Sequence, residues 1–140
     1  MEGNTRKKKV GIALLVLALL LPLFLGSSLG LGMLERYALS HAPEDWAASM
    51  DMKVAGFYGI TLRSEDQKEV CERFLQTFTT DRRRGYAKFC IAKCIQKDPN
   101  KANHHILAAY EEFLNEYYDD PNSQEYVKEA ERAIASIKNN

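Results

Sequence analysis

Cys90 and Cys94 stand four residues apart in the stretch CIAKC, and Cys71 precedes them on what reads as the neighbouring helix. Three thiols in one short region invite a metal or redox reading. On a helix, positions i and i+4 share a face with their Cβ atoms about 5–6 Å apart. A disulfide asks for roughly 3.5–4.5 Å, so Cys90 and Cys94 should not bond to each other. Zinc asks for four ligands. Cys71 would be the third and His104 or His105 the fourth, but adjacent histidines on a helix point about 100° apart. No metal site and no cofactor are expected. Cys71 and Cys90 pair better: each lies about nine residues from a turn near Thr80 and Asp81, so an antiparallel hairpin brings them level. Two readings stand, a Cys71–Cys90 disulfide, which an oxidising compartment permits, and free thiols buried as small hydrophobes.

No other group of residues is framed for catalysis. There is no recognisable pair of catalytic carboxylates, no glycine-rich phosphate loop, no nucleophile motif and no haem-attachment Cys-x-x-Cys-His. The chain is not expected to be an enzyme or to take a small-molecule substrate. What remains is recognition chemistry. Tyr110, Tyr117, Tyr118 and Tyr126 crowd the last two helices, and Trp46 is the single tryptophan. Such residues pack cores or, when exposed, anchor interfaces. Glu111, Glu112, Glu116, Asp119 and Asp120 surround the tyrosines and would favour a basic partner. Arg82, Arg83 and Arg84 form a basic knot at a helix start, where positive charge is unhelpful to the dipole; it reads as a solvated turn or a contact with acid or lipid phosphate.

These residues need helices to position them. Pro43 with Glu44 and Asp45 reads as a helix start, followed by a stripe of Trp46, Met50, Val54 and Phe57, with Gly59 as the stop. Ser64 with Gln67 is a capping box opening the next helix, whose inner face is Val70, Cys71, Phe74, Leu75 and Phe78. A further helix turns Ala87, Cys90, Ile91, Cys94 and Ile95 inward and ends at Asp98-Pro99-Asn100. The next carries Ile106, Leu107, Tyr110, Phe113, Leu114 and Tyr117. The last begins after Asp120-Pro121-Asn122-Ser123 and carries Val127, Ala130, Ala133, Ile134 and Ile137. No stretch alternates long enough to argue a strand. The expected fold is all-α, short antiparallel hairpins joined by turns of about three to five residues.

The N-terminus answers where this domain sits. The 19 basic and 19 acidic residues balance overall, but Arg6, Lys7, Lys8 and Lys9 against Glu2 leave +3 before residue 10 and −3 after it. A mildly acidic body lacks the basic footprint of a nucleic-acid binder. Residues 10–34 contain no charge, and 25 residues of helix span about 37 Å against a hydrocarbon core of about 30 Å. A secretory signal has an apolar core of only about 7–15 residues, although Ser28-Leu29-Gly30 resembles a cleavage site. The expectation is a retained single-pass helix in the inner membrane, its basic end cytoplasmic and its body periplasmic. The segments are then a cytoplasmic basic terminus (1–9), an anchor (10–34), a juxtamembrane helical linker (35–63) and a helical domain (64–140). Gly26, Gly30 and Gly32 would let membrane helices approach closely.

Helix pairs closed by a proline turn resemble tetratricopeptide repeats. Counting back from Pro99, Ala87 and Cys94 fall on the small packing positions and Ile91 on the bulky one, while Phe74 and Phe78 stand where the family keeps large residues. Leu75 and Cys71 depart from the pattern. The stretch AAYEEFLNEYYDDPNSQEYVKEAERAI is similar to repeat ends in envelope assembly lipoproteins, through Ala109, Tyr110, Phe113, Leu114, Pro121, Ser123 and Ala130. Pro99 and Pro121 lie 22 residues apart, not the family's roughly 34. The resemblance implies a scaffold for proteins or peptides with no chemistry of its own. The expected role is thus a membrane-anchored adaptor or accessory subunit of an envelope complex. The alternatives are a small structural subunit of an energy-converting or transport complex, packing through its anchor, and an exported soluble binding protein.

Overall fold

A computed structural model describes residues 27–139, and these form helices without a strand. We number them α1 (Ser28–Ser40), α2 (Asp45–Ile60), α3 (Ser64–Thr77), α4 (Arg84–Lys97), α5 (Asn103–Tyr117) and α6 (Gln124–Lys138). The all-helical expectation holds. Turns of three to six residues make consecutive helices antiparallel neighbours. Each helix packs on the next, and α6 also returns to touch α4.

Two apolar cores lie along this stack. The first joins α1 to α4 through Leu31, Ala38, Val54, Val70, Phe74 and Ala87. The second joins α4 to α6 around Phe89, Ile106, Tyr110, Phe113 and Val127. Helix α4 serves both, so its apolar residues encircle it. Ala87, Cys90 and Cys94 face α3 as expected, while Ile91 and Ile95 are only half-buried. Phe89, which a one-sided reading leaves out, is buried on the opposite side against Phe113 and Tyr126.

The anchor and linker boundaries do not match the fold. Residues 1–26, including the basic terminus, most of the expected anchor and Gly26, lie outside the described residues. Residues 28–34 belong to α1, which crosses the expected boundary at Leu34 unbroken. Leu31 is buried in the first core and Leu34 packs against it. Residues 35–63 are not a linker either. Ala38, Ala47, Ala48, Met52, Ala55 and Tyr58 are all buried in that core. The physical reason is side-chain size: Ala38 of α1 and Ala47, Ala48 and Ala55 of α2 are small enough to be buried between packed helices. Gly30 is buried, whereas a Cβ on Gly32 would meet nothing within 4 Å. Among the described residues, no helix is long and apolar enough to cross a membrane.

Local signals also shift. The α2 stripe of Trp46, Met50, Val54 and Phe57 is not its buried face. Val54 is buried, Met50 half-buried, and Trp46 and Phe57 are exposed, because the alanines of α2 carry the contact with α1 and α3. Gly59 does not stop α2, which ends one residue later; a Cβ there would come within 2.5 Å of Gln67 Nε2. Ser64 caps nothing: Arg63 is the N-cap and no side chain bonds the helix start. Gln67 turns inward instead, its Oε1 accepting from the Cys94 thiol at 3.3 Å.

Candidate functional site

Tyr86, Cys90, Lys93 and Lys97 recur at steps of four, three and four along α4, which aligns them on one stripe. That stripe forms a wall of an open groove of about 280 Å³. The groove is also lined by Gly59 of α2, Gln67 of α3 and Tyr126 of α6. The inward face expected from the sequence includes Cys90 but not Tyr86, Lys93 or Lys97, so the shared edge is not marked there. The signal available was the periodicity itself.

The aromatic wall is ordered by ring contacts. Tyr126 stacks on Phe89 at 5.4 Å between centroids and lies 5.1 Å from Tyr86. Tyr86 and Tyr126 also border a second hollow of about 270 Å³, closed by Arg82, Arg83 and Asn122. Positive charge therefore brackets both sides of the tyrosine pair. Lys93 is engaged by Glu129 at 2.7 Å and Arg83 by Asp45 and Asp81, both at 2.8 Å. Lys97 and Arg82 have no ion-pair partner among the described residues. Arg84 is structural, donating to the carbonyl oxygens of Leu75 and Phe78 at the end of α3.

The expected tyrosine cluster divides. Tyr110 is 1% exposed and donates to Gln96 Oε1 at 2.6 Å, so it is a core residue and not a contact for a partner. Burial pushes its hydroxyl up to about 12. Tyr117 is half-buried and stacks on Phe113. Tyr118 alone of the four is fully outside, 54% exposed beyond the end of α5. Four of the five acids around them are already engaged within the domain. Lys88 sits between Glu112 at 2.6 Å and Glu116 at 3.3 Å, and Lys138 meets Glu111 at 3.4 Å. Asp120 accepts from Ser123, which holds its carboxyl below the usual range. Trp46 belongs to another surface, grouped with Tyr37 and His41 and donating to Glu44.

All three cysteines are free and buried. The hairpin of α3 and α4 packs Cys71 and Cys90 into the same core, with both thiols free. Among the described residues no three His, Cys, Asp or Glu gather to hold a metal ion. His104 and His105 are exposed at the start of α5.

A second polar cluster lies in the first core. Asp51 of α2 is 0% exposed and neither carboxylate oxygen has a hydrogen-bond partner. Arg73 of α3 is ion-paired with Glu35 of α1 and with Glu69, and its Nε is also unpartnered. Burial first, then the nearby Glu35 carboxylate, raise the Asp51 pKa to about 7, with Arg73 opposing. No sequence signal marked Asp51, because it stands one residue beside the apolar stripe.

No family model, no curated protein and no solved structure matches the chain.

Proposed function

We propose that this chain is a non-catalytic, membrane-tethered adaptor, and that its tetratricopeptide-like helical domain holds an acidic segment of a protein partner in the groove along α4. The observation that carries this reading is the aromatic wall of Tyr86 and Tyr126 with unpaired cations, Lys97 and Arg82, on either side of it. The open edge of a half-buried tyrosine offers rigid contact area with one polar atom, and flanking cations steer an acidic chain into place. Lys88 and Lys138 engage Glu111, Glu112 and Glu116 of α5, which favours the groove along α4 as the contact face.

The tether is supported by the continuity of two features. The uncharged run that begins at Val10 leads straight into α1. Leu29, Met33 and Tyr37 then follow at steps of four as an exposed stripe on that helix, with Trp46 in contact with Tyr37. Exposed aliphatic residues beside Tyr and Trp suit a bilayer interface. In this reading the basic end is cytoplasmic and the domain lies on the far side of the membrane.

Photo-crosslinking in native membranes tests the adaptor role. A photoreactive residue at Tyr86 or Lys97 should capture a discrete partner with an acidic segment, and one at Lys128 on the outer side of α6 should not. Lys97→Glu should weaken capture, with an effect that shrinks as salt rises. Crosslinks formed only from Lys128, or only from the N-terminal run, would overturn the groove and favour a subunit that packs through its anchor.

A further inference from the structure

We propose that Cys90 is an oxidation site: a small hydroperoxide entering the groove oxidises its sulfur, and Cys71 behind it closes the disulfide. Three placements carry this, and none depends on the adaptor reading. Cys90 lines the groove and retains a sliver of exposure, 5%, whereas Cys71 is sealed in the first core. An oxidant in the groove therefore meets one sulfur of the pair. The second sulfur lies in the same core, on the helix that α4 packs against. The third, Cys94, does not line the groove and donates to Gln67 Oε1.

The surroundings of Cys90 suit a thiolate, which is the form that attacks peroxide. Cys71 sits behind it, Tyr86 one turn back, and the Lys93 and Lys97 ammonium groups along the same stripe. These lower the Cys90 pKa against the opposing effect of burial. The neighbours go the other way. Cys71 is raised because it holds its proton to donate to Cys90, and burial lifts Cys94 to about 11.

The chemistry balances with the peroxide as the only co-reactant. The Cys90 sulfur attacks one peroxide oxygen, the O–O bond breaks, and the other oxygen leaves as water or an alcohol after taking a proton. Cys90 is then a sulfenic acid, its sulfur oxidised by two electrons. The Cys71 sulfur attacks that sulfur, the S–O bond breaks, and hydroxide leaves as water with the Cys71 proton. The product ties α3 to α4.

The test uses the full chain in detergent, exposed to stoichiometric hydrogen peroxide, then alkylated and mapped by mass spectrometry. The wild type should lose two hydrogens, yield a Cys71–Cys90 disulfide peptide and leave Cys94 alkylated. With Cys71→Ser, dimedone should label Cys90 at least about tenfold faster than Cys94, following their thiolate character. Labelling of Cys94 ahead of Cys90, or no Cys71–Cys90 peptide while the same peroxide stock oxidises a free thiol in a parallel tube, would overturn the proposal. The wild-type map needs no substitution, so it decides the matter even if Cys71→Ser lowers stability.

Discussion

A Cβ placed on Gly85 would lie 1.9 Å from Ser123 Oγ and 3.1 Å from Tyr117 Cδ1. Gly85 is therefore the point where the start of α4 passes directly over the turn into α6, and Ser123 beneath it is completely buried. Gly85→Ala should destabilise the domain by about 2 kcal/mol, as overpacking of a filled site does. Ser123→Ala added to it should recover part of that loss, because it removes the atom in conflict. Thermal melts of the single and double variants check the coupling, which should be non-additive for groups in contact.

Asp51 makes stability depend on pH. Its pKa is about 7 folded against 3.8 for an ordinary aspartate carboxyl, so between those values the folded state keeps a proton that the unfolded state has released. Its contribution is fully present below about pH 4 and is lost as pH rises through 7. Asp51→Asn stays neutral throughout. It should be more stable than the wild type at pH 8 by a few kcal/mol, and close to it at pH 4. Denaturant titrations at the two pH values read this; parallel pH profiles for wild type and variant would show that Glu35 and Arg73 dominate instead.

Leu62 has φ 59°, in the left-handed region that disfavours a side chain. It follows the C-cap Thr61 of α2, and Arg63 N–H donates to the Tyr58 carbonyl at 2.9 Å, the bond that closes such a helix end. Leu62 is also among the most exposed apolar residues. Leu62→Gly should therefore raise stability by about 0.5–1 kcal/mol, the released strain exceeding the entropy that glycine adds to the unfolded chain. A melting temperature that rises by a few degrees is the expected readout.

Phe74 and Phe113 are each 0% exposed, one in each core. Phe74→Ala and Phe113→Ala should each cost about 3–5 kcal/mol. Because they belong to separate clusters, the double variant should cost close to the sum. Since α1 contributes Leu31 and Ala38 to the first core, the melts belong on the full chain; removing residues before 36 would itself lower the melting point.

The helices, their order and most inner faces followed from the sequence because amphipathic periodicity is a local property. Val70, Phe74 and Phe78, or Ile106, Tyr110 and Phe113, repeat at helical steps whatever they pack against. What periodicity cannot decide is which of several faces is covered, and by what. α4 is covered on two sides, so Phe89 became a core residue and the stripe from Tyr86 to Lys97 became a groove wall only once α2 and α6 were placed beside it. Residues 28–63 looked like the end of an anchor and a linker because their apolar residues are small or scattered. Close helix approach turned those alanines into core. The proximity of Cys71 and Cys90 was legible from hairpin symmetry about the turn. That one sulfur faces the groove while the other is sealed, that Tyr110 is interior, and that Asp51 has no partner were decided by tertiary packing alone, since exposure and charge pairing depend on residues far away in the chain.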